Sequence, residues 1–154
     1  MIADIATILQ YEGIGPSPNF VTRTSDGILY AAKGAYGNAH LWLYPIAVYK
    51  STDNGFTWTK DVEFIQSRYA GNSLYRAAIV VDGNDKVHLA WGSWKRNTWD
   101  IAYLCYATKP SGGSWSGVTD IATYTFPSYG GGANSVYSMV IDGLNQVHIL
   151  YLVS

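Results

Sequence analysis

Apolar and polar residues alternate along this chain in short bursts, and the bursts are separated by Gly, Asp, Asn and Ser. The pattern predicts strands at about 20–24, 28–32, 46–50 and 57–64, and again at 75–81, 86–91, 101–107 and 115–123. One outer strand is expected in front, over 4–9, and two inner strands behind, within 134–154, the second of them over 147–153. No segment sustains a 3.6-residue period, so essentially no helix is expected.

The bursts repeat. Asp82-Gly83-Asn84-Asp85-Lys86-Val87-His88 returns as Asp142-Gly143-Leu144-Asn145-Gln146-Val147-His148, and Asn72-Ser73-Leu74-Tyr75 returns as Asn134-Ser135-Val136-Tyr137. A shorter version is Ser25-Asp26-Gly27-Ile28-Leu29-Tyr30, and Asp4-Ile5-Ala6-Thr7 recurs as Asp120-Ile121-Ala122-Thr123. Asp-Gly between two β-bursts is a strong hairpin signal. A repeat of this length, built from four short strands, has the size of a propeller blade and not of a helical repeat. The expected fold is therefore all-β, with β-propeller blades of four antiparallel strands and about two and a half blades per chain. Residues 1–154 read as one propeller segment, with units at about 20–64 and 72–123 and a composite unit made of 1–9 plus 134–154. Closed propellers take about four blades or more. The ring is thus expected to close by oligomerisation, a six-bladed dimer being favoured, or else the chain is a fragment.

Between the third and fourth strands of the first unit stands Ser51-Thr52-Asp53-Asn54-Gly55-Phe56-Thr57-Trp58. The carboxylate of Asp53 is placed to cap N–H groups of the turn, Gly55 permits positive φ, and Trp58 anchors the hairpin. This segment fits the pattern Ser-x-Asp-x-Gly-x-Thr-Trp, so the chain resembles the sialidase-like Asp-box (BNR-repeat) propellers. A worn copy, Thr108-Lys109-Pro110-Ser111-Gly112-Gly113-Ser114-Trp115, has Pro110 where the Asp should stand. In the family these boxes lie on the face away from the active site. The resemblance therefore implies a structural role for Ser51, Asp53, Gly55, Thr57 and Trp58, and not catalysis.

Composition narrows the function classes. Charged residues are only 14% and the formal net charge is −1, which gives no electrostatic reason to bind nucleic acid. Thirteen Tyr and six Trp favour strands and leave aromatic rings to spare. Cys105 is the single cysteine, so an internal disulfide is impossible. No apolar run is long enough for a membrane span, and Met1 to Gly15 lacks a basic, then apolar, signal-peptide pattern. A virion-associated or cytoplasmic setting follows as an expectation, with no cofactor and no metal.

Strand order sorts the connections onto two faces. Asp-Gly turns and boxes share one, and the longer, irregular connections share the other. Those long connections carry Tyr36, Trp42, Tyr69, Trp94, Arg96, Trp99 and Tyr129, while Arg76 opens an innermost strand. Aromatic rings beside hydrogen-bonding and cationic groups suit the apolar C–H faces of sugars, and function rides on loops held by a rigid scaffold. These eight are the candidate ligand-binding residues, with Trp94 and Trp99 foremost; packing of loops or of a subunit contact is the competing role.

His88 and His148 occupy equivalent repeat positions, which points to a structural job. A sialidase needs an arginine triad, a Tyr–Glu pair and an Asp acid/base. The chain has only Glu12 and Glu63, no placeable Tyr–Glu pair and no Arg-Ile-Pro signature. The expected function is a non-catalytic carbohydrate- or receptor-binding propeller, lectin-like, in a phage or other virion. Its partners would be a glycan or glycosylated receptor and further copies of itself. The alternatives are a fragment of a sialidase-like glycoside hydrolase and a purely structural assembly module.

Overall fold

A computed structural model describes residues 20–34, 45–64, 77–94, 101–126 and 134–153. These residues form ten strands and no helix: β1 (Val21–Arg23), β2 (Leu29–Gly34), β3 (Ile46–Ser51), β4 (Thr59–Phe64), β5 (Ala77–Val81), β6 (Val87–Trp94), β7 (Ile101–Lys109), β8 (Thr119–Thr125), β9 (Asn134–Ile141) and β10 (Val147–Val153). They build two four-stranded antiparallel sheets, β1-β2-β3-β4 and β5-β6-β7-β8, and a two-stranded sheet of β9 and β10. The all-β propeller architecture read from the sequence is the one the chain adopts. The expected lone strand at 4–9 lies outside the described residues.

Burial explains why the second strands are apolar at consecutive positions. In β6, Val87, His88, Leu89, Ala90 and Trp91 are all at most 5% exposed, because both faces of the middle sheet are covered. One face packs on the first sheet, joining Ile79, Leu89 and Trp91 to Tyr30, Ala32, Ile46 and Val48. The other packs on β9–β10, joining Ala78, Val80, Ala90 and Leu104 to Val136 and Met139, with Ile149 and Tyr151 alongside. By contrast β8, an outer strand, alternates exposed and half-buried along its whole length.

The hairpin register corrects one alignment. The N–H of Thr24 donates to Ile28 O, that of Asp82 to Lys86 O and that of Asp142 to Gln146 O, at 3.0 to 3.1 Å. Thr24, Asp82 and Asp142 are therefore equivalent, and the Asp26-Gly27 pair sits two residues later than its apparent counterpart Asp82-Gly83. The left-handed position of each turn falls on Gly27 (φ 93), Asp85 (φ 58) and Asn145 (φ 60), where glycine, aspartate and asparagine are the residues that bear positive φ. Bounds also differ at the outer strands: β4 begins at Thr59 and β8 at Thr119, because the segments before them are spent in turns.

The seam between the first two sheets depends on Leu89, which is fully buried. Leu89→Ala should destabilise the chain by about 2–5 kcal/mol, the cost of a cavity in a close-packed core. Urea unfolding followed by tryptophan fluorescence measures it.

Candidate functional site

An antiparallel meander puts alternate connections at opposite ends of the sheet. The β1–β2, β5–β6 and β9–β10 turns therefore share one end with the Ser51–Trp58 segment and its worn copy. Side chains lace this end together. The Ser25 N–H donates to Asp85 Oδ1 at 2.7 Å and its hydroxyl donates to Asp85 Oδ2. One repeat later, the Gly83 N–H donates to Asn145 Oδ1 at 3.0 Å. Equivalent left-handed residues thus reach back to equivalent donors in the preceding turn. Arg23 Nη2 meets Asn54 Oδ1 at 3.4 Å, which ties the first turn to the β3–β4 connection.

Within the Ser51–Trp58 segment the side chains of Ser51, Asp53, Thr57 and Trp58 bond back into their own turn. Ser51 is buried; its Oγ donates to Asp53 Oδ1 at 2.7 Å and accepts the Gly55 N–H at 2.8 Å. Thr57 donates its N–H to Asp53 Oδ1 at 2.9 Å and its hydroxyl to Asp53 Oδ2 at 2.6 Å. Trp58 Nε1 donates to Gly55 O at 3.0 Å, and Gly55 has φ 89. The Thr57 hydroxyl, the Thr57 N–H and the Ser51 hydroxyl hold the Asp53 carboxyl down to about 2. Three hydrogen bonds from its own turn thus hold this carboxylate in place.

In the worn copy the tryptophan takes a different partner. Trp115 Nε1 donates to Asp61 Oδ2 of β4 at 2.7 Å, and Lys50 and Lys109 flank the same carboxylate at 3.3 and 3.8 Å. Phe64 packs edge-on against Trp115 and stacks on Trp91. The indole therefore bridges two sheets instead of closing its own turn.

Both repeat histidines face the first residue of their own hairpin turn. His88 Nε2 lies 3.2 Å from Asp82 Oδ2, and His148 Nε2 lies 2.9 Å from Asp142 Oδ2. His88 Nδ1 also meets the Tyr106 hydroxyl. In the first sheet the equivalent pair is Thr24 and Tyr30, so the carboxylate and the imidazole are replaced together. Reading the sequence missed Tyr106, whose hydroxyl belongs to another strand; the Asp–His spacing of six residues, present twice, was the available signal. Burial alone would raise Asp82, but N–H groups of Lys86 and Asn84 and the His88 ring outweigh it and leave its pKa lowered. Asp142 is lowered chiefly by the His148 ring and Asp85 by the Ser25 hydroxyl.

The opposite end collects the C-terminal ends of β2, β4, β6, β8 and β10. Of the candidate ligand-binding residues, Trp94 closes β6 there, with only its backbone described. Tyr36, Trp42, Tyr69, Arg76, Arg96, Trp99 and Tyr129 lie outside the described residues. Near that end the Tyr124 and Tyr151 hydroxyls meet across the second seam. Among the described residues no group of three or more His, Cys, Asp or Glu is placed to hold a metal ion, and no helix is long and apolar enough to cross a membrane.

No protein-family model matches the chain, and no curated protein gives a significant match. Solved structures do. An α-L-arabinanase from Penicillium chrysogenum complexed with arabinobiose superposes over 83% of this chain and 40% of its own, at 17% identity and a TM-score of 0.54. An α-L-arabinofuranosidase from Fusarium graminearum in complex with an iminosugar inhibitor covers 82% and 38%, again at 17% identity and 0.54. The GH93 α-L-arabinofuranosidase of that organism with arabinobiose gives a TM-score of 0.52 over the same shares. The chain thus spans about 40% of the length of these structures. At this identity the likeness is one of fold, and the fold is a β-propeller.

The lowered carboxyls make the turn end acid-sensitive. A depressed pKa contributes stability that is complete above the unfolded value of about 4 and is lost as pH falls through the folded value. For Asp53 that loss runs down to about 2. The urea midpoint of the wild-type chain should fall over this window. Asp53→Asn should start lower at neutral pH and fall less steeply, since its amide no longer titrates.

Proposed function

We propose that this chain is a carbohydrate-binding β-propeller module of the sialidase-like, Asp-box kind, and that it binds its ligand at the end opposite the turns. The likeness to propellers solved with arabinobiose carries the proposal, because it sets this fold among carbohydrate-active proteins. Segment Ser51–Trp58 is read as the Asp box. Its carboxylate accepts three hydrogen bonds from Thr57 and Ser51, which supports a structural role. The ligand is a glycan or a glycosylated receptor. Trp94 and Trp99 stack on sugar rings, Tyr36, Trp42, Tyr69 and Tyr129 widen the platform, and Arg76 and Arg96 supply hydrogen bonds and charge.

The carboxylates of the described residues favour binding over catalysis. Asp53, Asp82, Asp85 and Asp142 are engaged at the turn end, and Asp61 serves Trp115 and two lysines. Glu63, on outer strand β4, meets Lys60 Nζ at 2.6 Å. A glycosidase needs two carboxyl groups facing one another across the scissile bond, whereas each of these six is already held by a protein partner.

A second reading has its own observation. The structural relatives are named as hydrolases and the chain spans about 40% of them, so it also fits part of a propeller glycoside hydrolase.

A glycan array that includes arabino-oligosaccharides and sialosides separates the two. The binding reading expects a retained ligand with no turnover of fluorogenic arabinofuranosides or sialosides. Trp94→Ala and Trp99→Ala should each weaken retention by about tenfold or more, as loss of a central aromatic anchor does, with unchanged far-UV circular dichroism. Asp53→Asn should leave affinity unaltered while lowering stability. Retention that survives both tryptophan changes would overturn the site, and turnover would establish the second reading.

A further inference from the structure

Among the described residues the non-glycine positions with left-handed backbone are Asn54 (φ 58), Asp85 (φ 58) and Asn145 (φ 60). Each carries a side-chain carbonyl close in sequence to the backbone nitrogen of the next residue, and in each case that nitrogen is engaged. The Gly55 N–H donates to Ser51 Oγ at 2.8 Å, the Lys86 N–H to Asp82 Oδ1 at 2.9 Å and the Gln146 N–H to Asp142 Oδ1 at 2.9 Å. The acceptor is always the side chain four residues before the donor.

The nitrogen matters because of what it can attack. When the peptide nitrogen after an asparagine is free, it bonds to the side-chain Cγ and closes a succinimide ring. The Cγ–Nδ2 bond breaks, and the proton from the attacking nitrogen ends on the departing ammonia. Water then opens the ring at one of its two carbonyls, leaving aspartate or isoaspartate. Glycine hinders this attack least, since it has no Cβ. Asn54-Gly55 is the single Asn-Gly pair in the chain. Asn54 is exposed to water, whereas Gly55 is buried. Asn145 is followed by the bulkier Gln146.

We propose that Asn54 is a modification site, deamidated through attack by the Gly55 nitrogen, and that Ser51 guards it by holding that nitrogen. A backbone N–H in a buried hydrogen bond becomes reactive only when the bond opens. Ser51 is itself fixed, because its hydroxyl donates to Asp53 Oδ1 at 2.7 Å. The serine thus preserves the turn chemically as well as shaping it. Both products act on the turn end. Aspartate at position 54 places a carboxylate where Arg23 Nη2 now meets Asn54 Oδ1 at 3.4 Å, and a charge-assisted bond replaces a weak one. Isoaspartate carries an extra carbon into the main chain and lengthens the turn that Asp53 and Thr57 close.

The test incubates folded wild-type chain, Ser51→Ala and Thr57→Val at mildly alkaline pH. Peptide mass mapping follows amide-to-acid conversion at Asn54, and circular dichroism records the fold. Ser51→Ala should convert about tenfold faster than wild type, the order of opening expected when one buried hydrogen bond is lost. Thr57→Val removes a hydroxyl from Asp53 but leaves the Gly55 N–H on Ser51, so its rate should stay close to that of wild type. Wild-type chain held in urea should convert at least as fast as Ser51→Ala, which keeps the test decisive if that variant fails to fold. Equal rates in folded and urea-unfolded wild type would overturn the proposal, as would no conversion at Asn54 in urea. So would a folded Ser51→Ala no faster than wild type, or a Thr57→Val as fast as Ser51→Ala.

Discussion

Face-to-face packing of one twisted sheet on the next governs everything else in this molecule. A four-stranded sheet with both faces apolar is unstable alone and must be covered twice. That requirement buries β6 at consecutive positions and puts Ala32 and Ala90 in the seams that Leu89 and Ile149 fill, whereas outer strand β8 alternates exposed and half-buried. Each burial of a leucine or isoleucine side chain in such a seam contributes about 1.5–3 kcal/mol. The turn-to-turn hydrogen bonds are worth less one by one, but they fix the rotation of one sheet on its neighbour. Packing supplies the energy and the turns supply the register.

This division separates the two ends of the propeller. The turn end consumes its own polar groups: Asp53, Asp82, Asp85 and Asp142 all accept hydrogen bonds from the backbone nearby or from the preceding turn. At the opposite end β2, β4, β6, β8 and β10 stop.

The fold was legible in the sequence because turn chemistry repeats. Asp82-Gly83 and Asp142-Gly143 open turns that need a side-chain acceptor at the first position and positive φ at the fourth, and few residues supply either. The first hairpin was misaligned by two residues for the same reason. Asp26-Gly27 is a stronger local signal than Thr24, yet it is Thr24 whose backbone closes the loop with Ile28. Contacts between units were illegible. Nothing near Trp115 announces Asp61, and nothing near His88 announces Tyr106, because both partners are brought in by strand pairing or sheet packing. Loop length and aromatic content mark Trp94, Trp99 and their companions as candidates, but they rank loops and place no side chain.

The 108–115 segment, set beside Ser51–Trp58, shows what the capping carboxylate does. Pro110 abolishes the capping carboxylate, yet β7 and β8 still pair along their length, so the carboxylate is not required to form the hairpin. What changes is the tryptophan. In the Ser51–Trp58 segment Trp58 closes on Gly55 of its own turn. In the 108–115 segment Trp115 leaves its own turn and bonds Asp61 in the preceding sheet, where Lys50 and Lys109 already gather. Local capping has been exchanged for a cross-seam bond. Such an exchange is open only to a unit with a sheet packed in front of it, and the second sheet has one in β1–β4.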